Sequence, residues 1–272
     1  MSDSRQNTSP AVMQQRDRAR TGLDYYPTPP WVGRVLCHEL EARELKSQAG
    51  STSGPITCWE PACGSGDLAR GLAPYFDAMI TSDIHAHSRL AEGADIPIIG
   101  DFLIDGLWRV GDVATTADWI ITNPPFKLAP RFVATALRRA NVGVAMFVRT
   151  SFLEGAARLR DLFQPMPPAL VLQFAARVPL FEGKLRDPSQ KYWDPKADNG
   201  PRQPKGKLRI PSTATAYCWV IWVKDDHDSR IGWIPPCHLE FTAPGDYPPS
   251  DVQPHDDRGQ LPLSPVRAGS TL

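Results

Sequence analysis

The chain has 272 residues, 30 Lys+Arg against 30 Asp+Glu, 42% hydrophobic residues and 28 prolines. That length suits one α/β domain with appendages and buries an ample core. No apolar run is long enough to span a membrane, and the polar start from Met1 to Pro10 lacks the apolar stretch of a signal peptide, so a cytoplasmic protein with no membrane partner is expected.

Residues 1–22 carry four arginines against two aspartates and no apolar periodicity, the composition of a disordered basic arm. A catalytic domain is then expected over 23–224. Thr28 before Pro29 reads as an N-cap with proline at the first helical position, and Val32, Val35, Leu36 and Leu40 recur at helical spacing. Ile56 to Trp59 is a short strand entering a glycine-rich turn, with a helix from about Asp67. Met79 to Ser82, Ile96 to Ile99 and Trp119 to Thr122 are apolar runs of strand length. Phe132, Val133, Ala136, Leu137 and Ala140 share one helical face, and Val142 to Val148 is a strand. Ser151 with Glu154 three residues later has the form of a capping box. Leu170 to Phe174 and Thr213 to Val223 complete the strands. In the last of these, Thr215, Tyr217, Trp219 and Ile221 should face one side, and Ala216, Cys218, Val220 and Trp222 the other. Repeated β-then-α units predict a mostly parallel sheet with helices on both faces and ligands at the carboxyl ends of its strands. Residues 225–272, with eight acids, three arginines and eight prolines, read as an acidic, Pro-rich extension with a short strand near Trp233. The five cysteines include no Cys-x-x-Cys pair, which argues against a disulfide scaffold or a zinc site, and no metal is expected.

Four strand ends carry the candidate chemistry. The first is Glu60-Pro61-Ala62-Cys63-Gly64-Ser65-Gly66-Asp67, whose glycines let backbone approach a ligand ahead of a helix start. The second ends at Asp83, placed to accept from ribose hydroxyls. The third runs into Asp101 and Phe102, a carboxylate and a ring suited to bracket an adenine. The fourth delivers Asn123-Pro124-Pro125-Phe126, a tetrapeptide expected by chance only about 0.004 times in a chain of this composition. Its two prolines fix the backbone and remove two donors. Asn123 Oδ1 and the Pro124 carbonyl are then able to accept both hydrogens of an exocyclic amine, while Phe126 offers a stacking face.

Over roughly Tyr25 to Lys224, the sequence resembles the class I S-adenosylmethionine-dependent methyltransferases, and within them the amino-methyltransferases of DNA, particularly the adenine N6 enzymes. The resemblance implies a Rossmann-like sheet of seven strands and S-adenosylmethionine as cofactor. It implies that the Glu60–Ala62 turn with Gly64 and Gly66 carries the methionine portion, that Asp83 holds the ribose, and that Asp101 and Phe102 contact the adenine. Tyr26-Pro27-Thr28-Pro29-Pro30 looks like the motif that precedes the glycine turn in such enzymes, which adds Tyr26 and Thr28 to the cofactor residues. Asn123 to Phe126 would be the catalytic tetrapeptide, with Asn123 also beside the cofactor, and the methyl would pass directly to a flipped-out base.

For the substrate, Ala176 to Pro211 holds nine Lys/Arg against four acids, with Tyr192 and Trp193 among them. Cations interleaved with aromatics suit a phosphate-tracking, base-stacking loop, and Lys184, Arg186, Tyr192, Trp193, Lys205 and Lys207 are its candidate contacts. Tyr217, in a strand resembling the late strand of these enzymes, is the candidate to pack against the extruded base. Arg149 is equally readable as a surface ion-pair partner or a phosphate contact. DNA is the favoured partner. Ribosomal RNA, a protein glutamine and cytosine N4 share the planar amino group and remain alternatives. A non-catalytic nucleic-acid-binding module is disfavoured because Glu60, Gly64, Gly66, Asp83, Asp101 and Asn123 are all present.

Overall fold

The structure is a computed structural model, and it describes residues 24–46, 54–87, 90–91, 97–105, 108–110, 113–194 and 206–249. The arm expected over 1–22, the extension beyond 249, and Lys205 within the basic segment lie outside the described residues.

In chain order, α1 (Pro30–Ala42) precedes β1 (Thr57–Glu60), α2 (Asp67–Leu72), β2 (Ala78–Asp83) and β3 (Ile98–Ile99). A small ribbon of β4 (Arg109–Val110) and β5 (Val113–Ala114) leads to β6 (Ala117–Thr122), α3 (Ala129–Arg139) and β7 (Ala140–Arg149). After α4 (Ala156–Arg158), which continues as one π turn, come β8 (Leu170–Phe174), β9 (Tyr192–Asp194), β10 (Lys207–Arg209), β11 (Tyr217–Val223), β12 (Arg230–Ile234) and α5 (His238–Phe241).

The main sheet has the order β12-β8-β11-β7-β6-β1-β2-β3. Its pairings are parallel except that β11 runs antiparallel between β7 and β8. The architecture is Rossmann-like. Among the described residues it has eight strands rather than the expected seven, because β12 pairs with β8 beyond the expected domain end at 224. Only Gly232 and Ile234 of β12 are buried, and Pro235 and Pro236 stop it, so its apolar signal is thin.

Alternation along the strands sorts the core onto two faces. Trp119 and Ile121 of β6, with Tyr217, Trp219 and Ile221 of β11, pack beneath Val32, Leu36 and Leu40 of α1 and Leu68 and Leu72 of α2. Ile120 of β6 and Cys218, Val220 and Trp222 of β11 face Phe132, Val133 and Ala136 of α3. Both helical layers and the facing of β11 thus follow the apolar periods, although β11 begins only at Tyr217.

Two expected caps are absent. Helix α1 starts at Pro30, not Pro29, with Pro29 extended (φ −57°, ψ 141°) and no side-chain cap. A residue before proline is driven out of the helical region, which moves the start by one. Ser151 and Glu154 form no capping box: Thr150–Leu153 is a 3-10 turn closed by the Glu154 N–H on the Ser151 carbonyl, and Gly155 at φ +109° separates it from α4.

The switch in strand order lies at β1, which has β2 on one side and β6 on the other. A crevice opens where connections leave in opposite directions, at the carboxyl ends of these strands. Glu60, Asp83 and Asn123 sit there, at or one residue past the ends of β1, β2 and β6.

Candidate active site

A cavity of about 190 Å³ opens at this switch point. It is lined by Tyr26, Thr28, Glu60, Ala62, Gly64, Asp83, Asp101, Phe102 and the whole of Asn123 to Phe126, so residues spread over a hundred positions converge there. Gly66 does not line it but caps α2 at φ +85°. Gly64 adopts φ +57°, and a Cβ there would lie 2.8 Å from Tyr25 Cε2, so both conformation and space call for glycine.

The Asn123 amide is fixed by its donors. Nδ2 donates to the Tyr26 carbonyl at 3.2 Å and to Thr28 Oγ1 at 2.9 Å. Thr28 therefore ties the segment before α1 to the tetrapeptide instead of capping a helix. Because the Tyr26 carbonyl can only accept, the amide cannot be turned the other way. Its Oδ1 is buried and has no hydrogen-bond partner among the described residues. The Phe126 N–H donates to Asp24 at 3.2 Å, which steadies the far end of the turn.

The glycine turn is held from the next strand. Asp83 Oδ2 accepts the Gly64 N–H at 2.8 Å, and Oδ1 accepts the His85 N–H at 2.9 Å. Glu60 is buried, and its Oε2 also finds no partner among the described residues. Burial first, then the neighbouring Asp83 and Asp67 charges, push the Glu60 carboxyl well above the usual carboxylate range. Such a crowd of acids favours an incoming cation. Cys63 is no nucleophile: burial, Glu60 and Asp83 all raise its thiol, so thiolate is scarce at neutral pH.

Asp101 Oδ1 accepts the Leu103 N–H at 2.8 Å in a tight turn. Phe102 is almost wholly buried against Trp59 and Phe132, with ring centroids 5.2 Å from each, so it meets the cavity as a core ring. This loop rests on Arg139, a buried arginine at the end of α3 that donates to the Phe102 carbonyl at 2.8 Å and to Asp105 at 3.0 Å.

Tyr217 packs in the core. It does not line the cavity, is only 4% exposed, and stacks on Phe147 at 5.0 Å with the rings 15° apart, so core packing occupies the ring proposed to meet a base. The described residues of the basic segment also do not line the cavity. Lys184 and Lys207 are exposed, Arg186 lies 4.0 Å over the Tyr192 ring, and Tyr192 and Trp193 belong to the β9–β10 hairpin. The Gly183 N–H donates to the Tyr25 carbonyl and so links the segment to the site.

Sequence reading passed over Asp24, Tyr25 and Arg139. The paired tyrosines before Pro27 were a usable signal for Tyr25; a single arginine at a helix end is not one for Arg139.

No protein-family model and no curated protein matches the chain. Solved structures do resemble it. One, from Listeria monocytogenes and assigned as a class I S-adenosylmethionine-dependent methyltransferase, is 11% identical over 82% of this chain and 68% of that one, with a TM-score of 0.46. A type I restriction-modification methyltransferase subunit from Streptococcus thermophilus is 13% identical over 77% of this chain and 47% of its own, also at 0.46. Magnesium protoporphyrin IX methyltransferase from Synechocystis, with S-adenosylmethionine bound, is 12% identical over 72% and 79%, at 0.38. Similarity at this level assigns neither activity nor substrate. Among the described residues no helix is long and apolar enough to cross a membrane, and no cluster of three His, Cys, Asp or Glu is placed to hold a metal.

Proposed function

We propose that the protein is an S-adenosylmethionine-dependent methyltransferase that modifies the exocyclic amino group of a nucleic-acid base, with adenine N6 in DNA as the favoured target. One observation carries this reading: Asn123 Oδ1 is a buried acceptor without a partner among the described residues, its amide oriented by the two bonds that Nδ2 donates, in a cavity walled by acids.

The cavity residues suit the cofactor. The Gly64 turn has no room for a side chain, the orphaned Glu60 oxygen is placed among acids that favour a cation, and Asp83 and Asp101 add carboxylates. These residues would hold it. When bound, S-adenosylmethionine would supply an activated methyl group on a sulfonium, so that transfer to the amine would leave the bonding pair on sulfur and the amine's surplus proton would pass to solvent.

An amine conjugated with a purine is a weak nucleophile, because its lone pair is delocalised into the ring. Asn123 Oδ1 and the Pro124 carbonyl accept its two hydrogens and so favour a pyramidal nitrogen with a localised lone pair. Prolines 124 and 125 keep these acceptors rigid, so little reorganisation is needed as charge develops. Orientation is the other contribution, since the transfer needs nitrogen, methyl carbon and sulfur in line. No residue forms a covalent intermediate.

The test is incubation with methyl-labelled S-adenosylmethionine and a cell lysate, followed by DNase, RNase or protease. Label lost to DNase, with N6-methyladenine found by mass spectrometry, is expected. Label lost only to RNase or protease would move the same chemistry to RNA or to a protein glutamine, and N4-methylcytosine would change the base.

A further inference from the structure

Arg149 ends β7, and its guanidinium carbon lies 4.0 Å from the centroid of the Phe126 ring. That is stacking distance, so no second planar group fits on the face it covers. Tyr26 packs against the same ring at 5.5 Å and 46°. The Arg149 charge also acts on the Tyr217 hydroxyl, yet its Nε is buried and has no hydrogen-bond partner among the described residues. The ring expected to receive a base is therefore already covered by a planar cation with a spare donor.

We propose that Arg149 is a positioning residue that covers Phe126 until a nucleotide arrives, then exchanges the ring contact for that nucleotide's phosphate. The inference rests on the reading that Asn123 to Phe126 receive a base. Guanidinium and nucleobase are both flat and stack on the same kind of surface, so one can replace the other with little change at the ring. The displaced guanidinium keeps a forked set of donors matched to a phosphate, including the Nε that lacks a partner here. A phosphate-free acceptor, such as a free nucleoside or a glutamine side chain, would have to displace the guanidinium with no phosphate to receive it. Arg149 would in this way favour a polynucleotide over small acceptors at one position.

Two probes and two variants test this. Binding of fluorescein-labelled, mixed-sequence single-stranded DNA is followed by anisotropy across salt concentrations. Binding of adenosine is followed by calorimetry with S-adenosylhomocysteine present at saturation, which keeps adenosine out of the cofactor cavity. Arg149→Ala should weaken DNA binding and make the slope of log affinity against log salt shallower by about 0.7, the value for one phosphate contact on a single strand. The same variant should bind adenosine several-fold more tightly than wild type. Arg149→Lys should restore the slope but not the ring cover, so adenosine again binds more tightly. If Arg149→Ala does not fold, Arg149→Met reads the same quantities. An unchanged slope, or a loss of adenosine affinity parallel to the loss for DNA, would overturn the exchange, since a merely structural residue weakens both. Wild-type protein that binds neither S-adenosylhomocysteine nor DNA would instead overturn the underlying reading and this inference with it.

Discussion

The carboxyl ends of β1, β2 and β6 and the basic segment from 176 to 211 were both expected to contact ligands, but they are built differently. At the strand ends, side chains are buried and held by backbone: Asp83 grips the Gly64 N–H, and the Asn123 amide is tied to Tyr26 and Thr28. Two acceptors there, Glu60 Oε2 and Asn123 Oδ1, have no partners among the described residues. A buried polar atom in that state costs about 1–3 kcal/mol, and a bound ligand that paired with it would offset that cost. In the described part of the basic segment the cations are exposed or engaged locally, as Arg186 is on Tyr192 and Arg209 with Asp194. Exposed cations need no ligand to be stable, and each contributes little alone. On the proposed function, chemistry and cofactor selectivity would belong to the first region, and salt-dependent affinity to the second.

The sharpest break should come at Asn123. Asn123→Ala is expected to lower the methylation rate by roughly 10²–10³-fold, the cost of removing one preorganised acceptor or donor at a reacting centre, while calorimetry shows cofactor affinity nearly intact. Equal losses of rate and cofactor binding would place Asn123 on the cofactor side alone.

Next is Glu60. Glu60→Gln should weaken S-adenosylmethionine binding by about 10- to 100-fold, the range for a hydrogen bond to a charged group. Its pH dependence has a definite sign. The folded carboxyl is raised, so its contribution to stability is full below the unfolded value and is lost as pH rises through the folded one. Thermal melts should therefore show the glutamine variant gaining on wild type as pH rises. Binding of a cation favours the ionised carboxylate, so wild-type affinity for S-adenosylmethionine should strengthen over the same rise.

Gly64→Ala probes the backbone of the cavity. Its φ of +57° costs about 1–2 kcal/mol for a non-glycine residue, and the new Cβ meets Tyr25. Adding Tyr25→Ala should recover only the part due to the clash, and a double-mutant cycle in denaturant reads the remainder.

The smallest effect should come from the basic segment. Arg186→Ala is expected to cut polynucleotide affinity by roughly threefold, as for a solvent-screened surface ionic contact, with a salt slope shallower by about 0.7 on a single strand. S-adenosylmethionine affinity should hold. A larger loss extending to the cofactor would erase the distinction between the two regions.

The amino-acid sequence by itself determined the alternation of strands and helices, the two faces of β11 and the tetrapeptide after β6. These are properties of short segments, set by apolar period and by proline and glycine stereochemistry. It also determined most of the cavity, since chain order in such a sheet delivers the ends of β1, β2 and β6 to one crevice. Tertiary structure decided what depends on distant neighbours. Thr28 bonds Asn123, 95 positions away, because Pro30 holds Pro29 extended and α1 begins one residue later. Tyr217 is covered because the register of β11 on β7 sets it in the core beside Phe147, although its own strand is as apolar as predicted. Arg139 and Arg149 act through a carbonyl and a ring from other parts of the chain, and periodicity carries no information about such contacts. Local pattern specifies which face a side chain takes; only packing specifies what it meets there.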